Sequence, residues 1–250
     1  RGIKVANVPA YGENTVAEYT FGLILALTRK IYSGFDQIRE TGSFQLDGLR
    51  GSDLKDKTLG VIGTGRIGKN VIRIANGFLM KVLAHDSFPD QSAATTLGFR
   101  YDTLEAVLAE SDIVTLHLPQ TKDNFHLINE KQLNLLKKTA YLINTARGGL
   151  VDTAALVRAL TSGQIAGAAL DVLEEEGVTK DEISFLTTGG HPKETDLRAV
   201  LANHVLFDRP NVIVTPHNAF NTTEALSRIM KTTLENIRCF LEDRPQNIVA

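Results

Sequence analysis

Apolar and polar positions divide the chain into two kinds of territory. Residues 13–31 form a first long periodic block, and the stretch 19–27 within it is apolar almost all round. A surface helix shows one apolar stripe, whereas a helix apolar on every side is buried on most sides. This one belongs in a domain core or in a subunit interface, and the pattern alone supports both. Thr15 and Glu18 have the spacing of a capping box at its start. Residues 33–57 are polar with several glycines and read as an irregular connector.

From Thr58 onward short apolar strands alternate with helical segments. The strands are expected at 59–62, 82–85, 113–118, 140–143, 165–170 and 212–214. Helices are expected from the glycines after 62 to about Leu79, at 103–109, at 131–137, at 154–160 behind the cap Asp152 and before Gly163, and at 222–241. Continuous apolar strands separated by amphipathic helices imply an α/β fold whose parallel sheet is covered on both faces. Residues 177–209 are rich in Thr, Gly, Lys and Glu and read as a long excursion from that fold.

Gly63-Thr64-Gly65-Arg66-Ile67-Gly68 opens the first of these helices directly after a strand, and Asp86 ends the next strand. That is the context a Rossmann dinucleotide fingerprint requires. Gly63 permits the tight turn, Gly65 lets the backbone approach a pyrophosphate, and Gly68 lets helix pack on strand. The backbone of Arg66, Ile67 and Gly68 then presents helix N-terminal N–H groups to the phosphates. The Arg66 side chain lies near them or is solvated at the helix start. Asp86 can accept from both adenine-ribose hydroxyls and would repel a 2′-phosphate, so NAD is expected rather than NADP.

Ligands of open α/β sheets bind beyond the carboxyl ends of the strands. Those ends carry His117 and Pro119, then Thr145, Ala146 and Arg147, then Asp171 with Glu174, Glu175 and Glu176, and finally His217. One arginine, one carboxylate cluster and one histidine thus converge beside the nucleotide fold. The set suits hydride transfer to a 2-oxo acid. A guanidinium holds the carboxylate and polarises the carbonyl, an imidazole protonates the carbonyl oxygen, and a neighbouring carboxylate favours the imidazolium and orients it. Arg147 as a structural ion-pair residue and His217 as a strand-end histidine are the bland alternatives. His85, His126, His191 and His204 have no such setting and read as structural or surface residues.

Composition narrows this further. The 250 residues are 43% hydrophobic and 22% charged, with a formal net charge of −2. That is globular composition with no electrostatic footprint for nucleic acid or an anionic membrane. No apolar stretch approaches the roughly 18 residues of a membrane-spanning helix. A single cysteine, Cys239, fits a reducing, cytoplasmic compartment, and no Cys/His spacing resembles a metal site.

Taken together, the motifs resemble the D-2-hydroxyacid dehydrogenase family, its D-lactate dehydrogenase branch above all. They are Val8-Pro9-Ala10-Tyr11, the glycine fingerprint, Leu116-His117-Leu118-Pro119, Ile143-Asn144-Thr145-Ala146-Arg147-Gly148-Gly149, Ala169-Leu170-Asp171-Val172 and Thr215-Pro216-His217-Asn218-Ala219-Phe220. The resemblance implies Arg147, Glu176 and His217 as the catalytic set. It implies Asp171 at the nicotinamide carboxamide, His117, Pro119, Thr145 and Ala146 along the cofactor, and Tyr11 and Phe220 near the substrate. Gly177 stands where many members have proline. The implied substrate is a small 2-oxo or 2-hydroxy acid, pyruvate and D-lactate first. An NAD-sensing corepressor on the same scaffold, or a dehydrogenase for a bulkier acid, are the rivals. The family also implies a homodimer through the helix of residues 15–31. It implies a division into residues 1–12 (end of a flavodoxin-like substrate domain), 13–220 (NAD-binding domain) and 221–250 (return helix). On that expectation the chain lacks the N-terminal part of the substrate domain and turns over 2-oxo acids poorly by itself.

Overall fold

The computed structural model describes residues 3–176 and 194–249, the side chains of 194–197 excepted. Two helices, α1 (Glu13–Thr28) and α2 (Ile31–Thr41), precede the sheet. Then follow β1 (Thr58–Ile62), α3 (Arg66–Gly77), β2 (Lys81–His85), α4 (Gln91–Leu97), β3 (Arg100–Tyr101), α5 (Leu104–Glu110) and β4 (Ile113–Leu116). The second half runs α6 (Glu130–Leu133), β5 (Tyr141–Asn144), a 3-10 turn (Gly148–Leu150), α7 (Thr153–Thr161), β6 (Gly167–Leu170), α8 (Glu194–Phe207), β7 (Val212–Val214) and α9 (Thr223–Leu241). All strand pairs are parallel, in the order β3-β2-β1-β4-β5-β6-β7. The order reverses between β1 and β4, which opens a crevice at their carboxyl ends. This is the expected doubly wound Rossmann-type sheet.

Alternate strand residues feed two cores. Ile62, Val114, Leu116, Leu142, Ala168 and Leu170 pack under α5, α6 and α7. Leu59, Val61, Ile113, Ile143 and Ala169 pack under α1 and α3. Burial on both faces explains why the strands read as continuous apolar runs rather than as alternations. Asp90, Thr103, Asp152 and Thr222 cap α4, α5, α7 and α9, each accepting from a backbone N–H three residues on.

Several expectations need correction. Thr15 is a buried residue inside α1, whose N-cap is Gly12, so the Thr15/Glu18 spacing is not a capping box. The supposed connector 33–57 begins with α2, an amphipathic helix. Its apolar positions Ile31, Tyr32, Phe35 and Ile38 lie on one helical face, but all are exposed. Such a short stripe is lost among glycines in a local reading. The sheet gains a seventh, two-residue strand β3, held by pairing to β2 rather than by its own pattern. The helix expected at 131–137 shortens to α6, and the excursion 177–209 contains α8, which packs on α7 and β7. Gly177 and His191 lie outside the described residues. No helix among the described residues is long and apolar enough to cross a membrane.

Two buried residues decide how the sheet region behaves. Ile24 of α1 is fully buried within this one chain, with Ala17 and Phe21 beside it, so α1 is a core helix packed on α3 and the β5–β7 strands. His117, just past β4, is 9% exposed, with Nε2 2.9 Å from the Thr115 hydroxyl. Burial lowers its pKa from 6.5 to about 3, because the imidazolium would lose its hydration.

Ile24→Ala is expected to cost about 2–5 kcal/mol in urea unfolding. The loss should be independent of protein concentration, whereas a concentration-dependent loss would place α1 in an interface. His117 gives a second expectation. Below pH 6.5 the unfolded chain binds a proton that the folded chain refuses down to about pH 3, so stability falls as pH drops through that window and is complete above it. The slope approaches about 1.4 kcal/mol per pH unit for one group. His117→Gln should flatten the wild-type dependence of unfolding free energy between pH 6.5 and acid unfolding; an equal slope in both proteins would contradict the burial effect.

Candidate active site

The glycine loop joins β1 to α3 as its residues dictate. Gly63 has φ 94°, and a Cβ there would lie 2.6 Å from the His117 carbonyl oxygen. At Gly68 a Cβ would sit 2.1 Å from the Gly63 oxygen, so helix and loop touch only because both are glycine. A Cβ on Gly65 would meet nothing within 4 Å, which leaves the space before the α3 N-terminus open to a ligand. Asp86 ends β2 and closes the loop from below. Its carboxylate accepts from the Thr64 N–H at 2.6 Å, the Thr64 hydroxyl at 2.9 Å and the Phe88 N–H at 2.9 Å. Burial pushes this carboxyl up, but those hydrogen bonds outweigh it and hold it below its ordinary value. Tyr101 supports the loop from β3, its hydroxyl 2.7 Å from that of Thr64, a contact that no local motif announces.

Beyond the strand ends lies a cavity of about 470 Å³. Of the expected site residues it is lined by Tyr11, Arg66, Ile67, His117, Pro119, Thr145, Ala146, Arg147, Asp171, His217 and Phe220. The Arg66 side chain is solvent-exposed and bonds the Pro9 carbonyl and Glu13 across the mouth. Tyr11, Phe220 and His217 form an edge-to-face series, with ring centroids 6.3 and 6.2 Å apart. The buried Nδ1 of His117 has no hydrogen-bond partner among the described residues. An orphaned polar atom and the open space at Gly65 fit a polar, elongated ligand running from the glycine loop towards His217.

Arg147 leaves β5 on a turn stapled by Asn144, which donates to the Arg147 carbonyl at 2.8 Å and accepts from the Ala146 N–H at 3.0 Å. Thr145 is held from the other side by a 3.0 Å hydroxyl contact with Thr20 of α1. The guanidinium bonds the Ala146 carbonyl, and no carboxylate among the described residues pairs with it. At the end of β6 the buried Asp171 carboxylate accepts from the Thr215 hydroxyl and from the N–H groups of Asn218 and Ala219 at 2.5 to 2.8 Å. It pins the loop on which His217 stands in a left-handed conformation, φ 54°. His217 Nδ1 lies 3.0 Å from Glu176 Oε2. A carboxylate only accepts, so Nδ1 donates and Nε2 remains to exchange a proton.

The structure therefore separates Glu176 from Glu174. Glu176 meets His217, while Glu174 meets His126 at 2.8 Å. His126, which reads as structural or surface, is half of a second histidine–glutamate pair, formed across a sequence distance that no local pattern spans.

Comparison with known proteins identifies the family. The profile of "D-isomer specific 2-hydroxyacid dehydrogenase, NAD binding domain" matches residues 21–219. An aromatic 2-oxoacid reductase of Clostridium sporogenes is 43% identical over 241 residues, 96% of this chain and 69% of that protein. The D-lactate dehydrogenase of Escherichia coli is 39% identical over 237 residues, 94% of this chain and 68% of that one. The crystal structure of an Aquifex aeolicus D-lactate dehydrogenase complexed with NAD and lactic acid superposes with a TM-score of 0.86 at 38% identity, covering 97% of this chain and 71% of that chain. The chain belongs to the D-isomer specific 2-hydroxyacid dehydrogenases, and its Rossmann-type sheet is the family's NAD-binding domain.

Proposed function

We propose that the whole protein reduces a small 2-oxo acid to its D-2-hydroxy acid, with pyruvate and D-lactate as the pair. The observation that carries the reading is that His217, held by Glu176 from outside the cavity, lines the same cavity as Arg147 and the Arg66 and Ile67 positions of the glycine loop. NADH, when bound, supplies the hydride that arrives at the substrate's C2. The α3 N-terminus holds the pyrophosphate, Asp86 the adenine ribose, and His117, Pro119, Thr145, Ala146 and Asp171 line the nicotinamide end. Arg147 grips the substrate carboxylate through two parallel N–H donors and draws charge from the adjacent carbonyl. His217 gives its Nε2 proton to the carbonyl oxygen as the alcohol forms and takes it back in the reverse direction. Glu176 holds the ring so that Nε2 faces the cavity and offsets the charge of the protonated form. Tyr11 and Phe220 wall the substrate side chain. A bulkier acid is the second reading, because a relative of comparable similarity is named for aromatic 2-oxo acids.

The same reading divides the chain. Residues 13–220 form the cofactor unit, and 1–12 with 221–250 belong to a substrate unit. Supporting this, the N- and C-terminal segments bond to each other through an Ala6–Ile248 antiparallel bridge, Asn7 N to Asn247 O, and Val249 N to Val5 O. Leu226, Met230, Leu234, Ile237 and Leu241 leave an apolar stripe on α9 exposed, surface that a substrate unit would bury. A homodimer belongs to the reading as well. Its contact falls on the side of α1 left outside the core, around Tyr19, Gly22 and Ala26, together with the exposed apolar face of α2. Cytoplasmic placement rests on the lone Cys239.

NADH oxidation by the whole protein against pyruvate, glyoxylate and phenylpyruvate tests the reading, and pyruvate is expected to give the highest kcat/KM. His217→Gln should lower kcat by about 10²–10⁴-fold with NADH affinity unchanged; undiminished turnover would remove His217 from the chemistry. Phe35→Asp with Ile38→Asp should convert a dimer to a monomer in light scattering, and a wild-type monomer would refute the dimer.

A further inference from the structure

The pair His126–Glu174 lies against the Arg147 loop, and neither residue lines the cavity. His126 stands in a left-handed conformation, φ 55°, with its ring stacked on Phe125 at 3.9 Å. Its Nε2 lies 2.8 Å from Glu174 Oε1, and because a carboxylate only accepts, that nitrogen carries the proton. The other carboxylate oxygen of Glu174 accepts from the Thr153 hydroxyl at 2.9 Å, at the first turn of α7. Glu174 is thereby held on both oxygens, and its backbone carbonyl is held by Asn203 of α8 at 3.0 Å.

The backbone around the pair makes it a bridge between two functional segments. The His126 N–H donates to the Gly149 carbonyl at 2.8 Å, and Ile128 and Val151 pair as a parallel bridge. His126 is thus fastened to the loop that begins at Arg147. That loop lies directly against the segment of Glu174, where a Cβ on Gly148 would fall 1.9 Å from the Leu173 carbonyl oxygen. Two residues beyond Glu174, after Glu175 with φ 54°, stands Glu176. The Leu173 N–H donates to Glu176 Oε1 at 3.2 Å, which leaves Oε2 to His217.

The geometry points to His126 and Glu174 as positioning residues: their pair locks the segment carrying Glu176 to the loop carrying Arg147, and so sets Glu176 against His217. Neither residue lines the cavity, so both act through Glu176. This inference rests on the proposed reduction of 2-oxo acids. It adds to that reading a second histidine–glutamate pair outside the lining of the cavity. A displacement of about 1 Å in a reacting group costs up to about 100-fold in rate, and the segment from 174 to 176 is short enough to pass on such a shift.

The test uses the whole protein with NADH and pyruvate or phenylpyruvate. His126→Ala and Glu174→Gln are each expected to lower kcat by about 10- to 100-fold, with KM for NADH unchanged. His126→Gln, which keeps an N–H donor towards Glu174, should recover most of the loss. In the Glu176→Ala background the same substitutions should add no further loss, since the side chain they act through is already gone. Equal losses in both backgrounds, or full kcat in His126→Ala and Glu174→Gln, would overturn the positioning role. Should His126→Ala fail to fold, Glu174→Gln is read the same way. A crystal structure of Glu174→Gln gives a readout independent of turnover. The Glu176–His217 contact should be lost or the 174–176 segment displaced, and an intact 3.0 Å contact would overturn the inference. Wild-type protein inactive on both acids would overturn the functional reading instead, leaving the positioning role to be decided by that structure.

Discussion

Asp171 is 1% exposed at the end of β6, and among the described residues every hydrogen bond its carboxylate accepts comes from the loop 215–219. A buried charge is tolerated only when its lone pairs are met. Here the groups that meet them belong to the residues on either side of His217. The loop cannot relax without leaving Asp171 unpaired, so His217 is held in a conformation that few non-glycine residues adopt. The His217 N–H closes the arrangement by donating to the Asp171 carbonyl at 2.8 Å. From the same strand end the chain continues to Glu176, so the imidazole and its carboxylate hang from one anchor.

Parallel register carries this anchor to the neighbouring strand. Asn144 of β5 lies beside Leu170 of β6, and the Asp171 N–H donates to the Asn144 carbonyl at 2.9 Å. Asn144 is itself buried and spends its side chain on the Arg147 turn. Arginine, histidine and glutamate, distant in sequence, are therefore placed by two adjacent strand ends and the side chains of Asp171 and Asn144. At the crevice between β1 and β4 the same economy holds. The glycine loop fits because it lacks side chains, and Asp86 spends part of its hydrogen-bonding capacity holding that loop. His117 is buried there in its neutral form, with Nδ1 unmet by the protein.

What the sequence by itself determined was whatever a local pattern encodes. Doubly buried strands show as apolar runs such as 59–62 and 113–118. A cap shows as Asp152 ahead of a periodic stretch. The nucleotide loop shows as glycines between a strand and a helix with Asp86 a strand later. The polar residues at the strand ends could be named because a parallel sheet sends its strand ends to one edge. Glu176 could be singled out only through the family resemblance. Tertiary structure decided the rest. It took α1 into the core and left the short apolar face of α2 exposed. It made β3 a strand through its neighbour, since two residues carry no period. It gave Glu174 to His126 and Glu176 to His217, because a run of three identical side chains holds no information about direction until the backbone turns at Glu175. And it turned Asn144 and Asp171 into the supports of the site, since a hydrogen bond between distant segments exists only once folding has brought donor and acceptor together.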